Sequence, residues 1–157
     1  MLPRVSRDTG ASYTAPAMSQ RQRMEDGRRE GEAARPKREE PQSVGDFERA
    51  LGEEVSVSAE FDLPLCVLVA RSRSGWPPEA ARRVVGVLRP GDLIARSEPA
   101  EITVALPNTE FGDAETVEPR LRKTLPGAAI GIAVHAAGDT VSDLLNRART
   151  SADRKTL

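Results

Sequence analysis

The residues able to do chemistry gather in one stretch, Arg89 to Thr109, RPGDLIARSEPAEITVALPNT. It opens with Arg89-Pro90-Gly91-Asp92, a guanidinium and a carboxylate on either side of a proline–glycine pair. Two further acids, Glu98 and Glu101, lie in the polar segment Ser97-Glu98-Pro99-Ala100-Glu101. Apolar runs flank that segment, Leu93-Ile94-Ala95 before it and Ile102, Val104 and Leu106 after it, which is the pattern of an antiparallel hairpin. Pro99 suits the second position of the turn because its φ is already set. A functional site is expected beside this hairpin. A plainer reading stands next to it: Arg89 and Asp92 as solvated polar residues where a helix turns into a strand, with Pro90-Gly91 as the turn.

Other chemistry-bearing side chains are isolated. His135 ends an apolar run with no cysteine or second histidine nearby, so no metal role is expected for it. The one cysteine, Cys66, lies inside the apolar run LCVLVA. It excludes an intrachain disulfide and reads as a small buried core residue.

The elements that must hold the hairpin follow from periodicity. Phe47, Ala50, Leu51 and Val55 recur at helical spacing, with Ser43 or Asp46 available as N-cap. Leu65 to Ala70 is a continuous apolar run of strand length, expected as a central strand buried on both faces. Gly75-Trp76-Pro77-Pro78 breaks the chain and leads into a helix that turns Ala80, Ala81, Val84, Val85 and Leu88 inward. After the hairpin, a helix from about Glu110 carries Phe111, Ala114, Val117 and Leu121 on one face. Pro119 should kink or shorten that helix. Ala128 to Val134 reads as another buried strand. The last helix starts at Asp139 or Thr140, where Thr140 and Asp143 resemble a capping box, and it points Val141, Leu144, Leu145, Ala148 and Ala152 inward. The order α-β-α-β-β-α-β-α predicts an α/β sandwich of one sheet with helices packed on it.

The 157 residues have room for one domain, and with aromatics at only 3% the core must be built from Val, Leu, Ile and Ala. A net charge of −1 argues against a nucleic-acid partner. No apolar run approaches the ~18–20 residues of a membrane span, and no signal-type stretch opens the chain, so a cytoplasmic protein is expected. Residues 1–44 mix Arg and Glu with Gly, Pro and Ser and read as a disordered tail, with 45–157 as the folded domain. A transient helix around Arg21 to Ala34 and alternative starts at Met18 or Met24 are compatible with that composition. The tail serves either as a partner-binding arm or as a plain solvated segment.

From Phe47 to Ala152 the chain resembles the GGDEF domain of diguanylate cyclases, through RPGDLIAR, EITVALPNT, AIGIA and LLNRA in their expected places. The resemblance implies a nucleotide-cyclase-like fold with a ferredoxin-like βαββαβ core and a mixed, mostly antiparallel sheet flanked by helices. The family's Gly-Gly-Asp-Glu-Phe tip falls on Glu98, Pro99, Ala100, Glu101 and Ile102, keeping only the glutamate. Metal-assisted attack on an α-phosphate needs carboxylates around hard cations and backbone amides facing the phosphates. Glu98 would set a negative charge beside the triphosphate, and Pro99 removes an amide and stiffens the backbone. The strand that ends Asp-Ile-Asp in the family ends here Arg71-Ser72-Arg73. The following base-reading stretch is shorter by about a dozen residues, and the phosphate-binding lysine aligns at Thr156, with Lys155 one place off. A degenerate domain with no catalytic residue, metal or cofactor is therefore expected.

The same resemblance implies a surviving product-binding site. The family's inhibitory motif Arg-x-x-Asp, ending five residues before the tip, matches Arg89 and Asp92, and its accompanying arginine on the next helix matches Arg120. A guanidinium can pair with guanine O6 and N7, and an aspartate can accept from guanine N–H groups. Cyclic di-GMP is thus the implied ligand, with self-association or a protein partner as the output. Alternatives stay beside each assignment. Arg120, Arg122 and Lys123 form an ordinary charged helix face. Arg71 and Arg73 could hold phosphate or simply be solvated, and Trp76 could cover the vacated nucleotide pocket or cap the small core. A ligand-free interaction module and an active cyclase are the other two functional readings.

Overall fold

The computed structural model describes residues 39–155. The tail, its transient helix, the alternative starts and the Thr156 alignment lie outside the described residues. The elements, in order, are α1 (Val44–Phe61), β1 (Leu65–Arg71), α2 (Glu79–Val85), β2 (Leu93–Glu98), β3 (Glu101–Pro107), α3 (Phe111–Thr124), β4 (Ala129–Val134) and α4 (Val141–Arg154). The sheet has four strands in the order β2-β3-β1-β4, the arrangement of a ferredoxin-like βαββαβ core. Every strand pair is antiparallel. Where a mixed sheet was expected, the one parallel contact among the described residues is the bridge from Gln42 to Ala95.

Helices cover both faces of the sheet, and the two-residue alternation of the strands decides which side chain meets which helix. Cys66, Leu68, Ala70, Ile102, Val104 and Leu106 pack with α2 and α3. Leu65, Val67, Val69 and Ala105 pack with α1 and α4. β1, flanked by β3 and β4, is buried on both faces as its unbroken apolar run requires. Ser43 caps α1 by accepting from Asp46 N at 3.1 Å. Thr140 and Asp143 form the reciprocal capping box of α4.

Three expectations need correction. Phe111 is 47% exposed rather than inward. It is the first residue of α3, one turn ahead of Ala114, the first side chain of that helix to be buried. β4 is an edge strand, not a fully buried one, and with no neighbour beyond it Val134 stays 36% exposed. Pro119 does not shorten α3, which continues through it to Thr124.

β4 lies close under α4 because Gly131 has no side chain. A Cβ there would sit 2.2 Å from both the Ala148 carbonyl oxygen and the Ala152 nitrogen. Gly131→Ala must therefore push the helix off the sheet, and a stability loss of about 1–3 kcal/mol is expected in urea denaturation. An unchanged midpoint would contradict this packing.

Candidate functional site

The RPGD segment folds as a tight turn. Asp92 N–H donates to the Arg89 carbonyl at 3.1 Å, and Gly91 takes φ 95°, which a side chain would resist. With proline at the second position and glycine in the left-handed region at the third, this is the type II pattern. The Asp92 carboxylate closes the turn on itself. Its Oδ2 accepts from Arg89 N at 2.8 Å and its Oδ1 from Arg89 Nη2 at 3.3 Å. The turn foreseen in the plainer reading of these residues is thus present.

The Arg89 guanidinium reaches across to the end of β3. Nη2 also donates to the Pro107 carbonyl at 3.1 Å and to Thr109 Oγ1 at 2.8 Å. Its Nε and Nη1 have no partner among the described residues, and the side chain is 55% exposed, whereas that of Asp92 is 3% exposed. Arg120, on the third turn of α3, lines the same cavity as Arg89 and Asp92, together with Val87, Leu88, Leu106, Thr109, Asp113, Thr116 and Val117. That cavity has a volume of about 160 Å³. The three residues singled out by motif and spacing therefore meet across two elements instead of facing different sides.

At the other end of β2, the hairpin turns on Pro99 and Ala100 between the paired residues Glu98 and Glu101. Glu98 is exposed at the strand end, and Ile102 is buried in the core. Glu101 is buried too, 2% exposed, on the α4 face of the sheet. It lies directly across from Arg71 in the strand register. Arg71 donates to Glu101 Oε2 from Nε at 3.1 Å and from Nη2 at 3.0 Å. Arg149 of α4 donates to Oε1 from Nη2 at 3.0 Å and from Nε at 3.1 Å, and Ser97 Oγ donates to Oε1 at 2.5 Å. Arg71 also holds Asp153 at 2.6 Å. Burial alone would push the Glu101 carboxyl up, but the donors from Arg149, Ser97 and Arg71 outweigh it and hold the group below the usual carboxylate range.

Arg71 is thus an ion-pair partner rather than a fully solvated strand end, while Arg73 is exposed. Neither Arg149 nor Asp153 was singled out from the sequence. The loop before α2 also ties down the hairpin tip. Trp76 N–H donates to the Pro99 carbonyl at 2.8 Å and Ser72 N–H to the Ala100 carbonyl at 3.0 Å. Arg96 Nη2 donates to the Trp76 carbonyl at 2.8 Å. The Trp76 ring is buried with the α2 and α3 cluster.

The remaining candidates sit in local roles. Cys66 Sγ–H donates to the Thr109 carbonyl at 3.2 Å. Its thiol is pushed up to about 12 by burial, with Asp113 and Glu110 adding to the effect. His135 Nδ1 lies 3.1 Å from Ser58 Oγ, which itself donates to the Leu63 carbonyl at 2.5 Å. No group of three metal-ligating side chains occurs among the described residues. Lys155 pairs with Glu118 at 3.3 Å. No described helix is long and apolar enough to cross a membrane.

No known protein-family profile matches the chain, and no curated protein matches it in sequence. Solved structures do match, GGDEF domains among them. The GGDEF domain of YfiN (PA1120) from Pseudomonas aeruginosa aligns with a TM-score of 0.66 at 23% identity, over 76% of this chain and 92% of that one. The GGDEF domain of DgcB from Caulobacter crescentus, in complex with c-di-GMP, aligns with a TM-score of 0.63 at 14% identity, over 74% and 83%. The diguanylate cyclase SiaD from Pseudomonas aeruginosa, in complex with its activator SiaC, aligns with a TM-score of 0.68 at 22% identity. That alignment takes in 87% of this chain but 64% of SiaD, less than two thirds of its length. The likeness defines the fold: the chain folds like a GGDEF domain.

Proposed function

We propose that this domain is catalytically inactive and acts as a receptor for cyclic di-GMP, bound at the cavity between the RPGD turn and α3, with self-association or a protein contact as its output. The observation that carries the reading is the convergence of Arg89, Asp92 and Arg120 on one cavity. Its polar groups suit a purine with a phosphate beside it. The guanidiniums supply donors for O6, N7 and phosphate oxygens, and Leu88, Leu106 and Val117 supply apolar walls for the ring.

The inactive half of the proposal rests on Glu101. A divalent cation needs several hard oxygen ligands, and the donor set here does not fit one. Both oxygens of this carboxylate already accept from guanidiniums, and Arg71 stands where the family resemblance puts a metal-binding acid. The tip carbonyls are bonded to the loop before α2, and Pro99 offers no amide to a phosphate. Incubation with GTP and Mg²⁺ or Mn²⁺ is expected to yield no cyclic di-GMP. Appearance of product would overturn the inactive assignment.

Calorimetric titration of the full chain with cyclic di-GMP is expected to give saturable heat at micromolar ligand. The pairing of Arg89 with Asp92 inside the turn favours the second reading, a ligand-free interaction or dimerisation module. That reading predicts no heat even at millimolar ligand, a result that would overturn the receptor assignment.

A further inference from the structure

We propose that the open edge of β4 accepts one extended segment of a partner protein, running parallel to β4, with an acidic side chain between two apolar ones. The proposal does not depend on ligand binding at the RPGD turn. β4 has no strand beyond it. A cavity of about 470 Å³ opens along it, lined by Ile132 and Val134 of the strand and by Asn146, Thr150 and Arg154 of α4. In an antiparallel ladder the N–H and C=O of one residue point to the same side, and neighbours alternate. His135 N–H donates to the Leu65 carbonyl at 2.9 Å, so Ile130, Ile132 and Val134 face away from β1. Ile130 is fully buried, which leaves Ile132 and Val134 as the open length. α4 takes half of their groups. Ser151 Oγ accepts from Ile132 N–H at 3.3 Å, and Arg147 Nη2 donates to the Val134 carbonyl. The Ile132 carbonyl and the Val134 N–H have no partner among the described residues.

Those two groups specify a direction. On a parallel strand, the residue opposite Ala133 donates to the carbonyl before it and accepts from the N–H after it. One residue thus satisfies both groups and leaves the bonds from α4 in place. An antiparallel strand uses both groups of the same residue, and Ile132 and Val134 each have one already engaged. Two-fold pairing of identical β4 strands is antiparallel, so a second copy does not fit. The side chain of the guest residue points to the face of Ala133, which packs with α1 and α4. There it meets Arg154, which is exposed and has no partner among the described residues. Arg147, by contrast, is neutralised by Asp139 at 2.6 Å. A carboxylate fits that place. The two flanking side chains turn to the opposite face, beside half-buried Ile132 and exposed Val134, where apolar groups cover them. Residues 1–38 hold no acid between two large apolar residues, so the guest comes from another protein. Main-chain bonds supply affinity in such strand addition, and alternate side chains supply specificity.

The test titrates the isotope-labelled full chain with acetyl-Thr-Val-Glu-Val-Thr-amide and follows the amide NMR signals. Saturable shifts are expected in residues 130–136. A nitroxide on the peptide's N-terminus is expected to broaden residues 129–131 more than 135–137, as parallel docking requires. The lysine counterpart, acetyl-Thr-Val-Lys-Val-Thr-amide, is expected to bind about tenfold more weakly, and Arg154→Glu to remove that difference. Methylating the nitrogen of the central glutamate deletes the donor to the Ile132 carbonyl and is expected to cost about tenfold. Arg154 being exposed, its substitution leaves the melting temperature unchanged. No shift at millimolar peptide, equal affinity for the two peptides, undiminished binding of the methylated one, or stronger broadening at 135–137 would each overturn the proposal.

Discussion

Replacing Glu101 by glutamine is expected to lower folding stability by about 3 kcal/mol, the lower end of the range for removing one partner of a buried ion pair. The carboxylate is nearly inaccessible and compensates two guanidiniums, Arg71 and Arg149. An amide removes the charge and points its own N–H groups at two donors. The lower end of the range applies because about a third of each arginine side chain remains in water, 34% for Arg71 and 30% for Arg149. Arg149→Met should cost less, because Arg71 still faces the carboxylate and the methionine stem keeps its packing. The same cluster sets a pH signature. The Glu101 carboxyl is lowered in the folded chain, so the stability it contributes is fully present above its unfolded value near ~4.3 and is lost as pH falls through its folded value. Urea midpoints should therefore decline below about pH 4.3 more steeply in wild-type protein than in Glu101→Gln. Equal slopes would mean that the cluster is not formed in solution.

Arg89→Ala is expected to weaken cyclic di-GMP binding by about 100-fold, in line with the ~1–3 kcal/mol of a bidentate arginine–guanine pair. The substitution removes the donors and planar face that Arg89 brings to the cavity. It also removes bonds to Pro107, Thr109 and Asp92. Asp92 Oδ2 keeps its bond from the residue 89 backbone, so the turn persists. A thermal melt separates the two effects, since a folded variant with unchanged affinity would move the ligand away from this cavity. Arg120, which approaches the cavity from α3, has no polar side-chain partner among the described residues. Its removal is expected to cost less, about tenfold, with no loss of stability.

Much of this architecture was legible in residue types and spacing. The alternation in β1 and β3 sorts Leu65, Val67 and Val69 from Cys66, Leu68 and Ala70, and the structure sends the two sets to different helix pairs. Thr140 and Asp143 announce the start of α4, and Pro99 marks the hairpin turn. What escaped the sequence depends on three-dimensional neighbours. Phe111 continues a helical stripe yet hangs off the helix end, because periodicity does not say where the sheet begins beneath it. Arg149 stands beside the apolar stripe of α4, and nothing in its spacing marks it. It becomes a partner of Glu101 once Gly131 lets α4 lie down on β4. The signal available was the cross-strand placement of Arg71 and Glu101 on one face, two long charged side chains at a position that had to be neutralised.

Where the ligand sits is the point on which the account turns. Amide NMR spectra of the full chain, recorded during titration with cyclic di-GMP, test it directly. Saturable shifts are expected to concentrate in residues 87–92, 106–109 and 113–120, with the hairpin tip at 98–101 unmoved. Shifts confined to the tip and to residues 71–76, or no shifts at all, would contradict it.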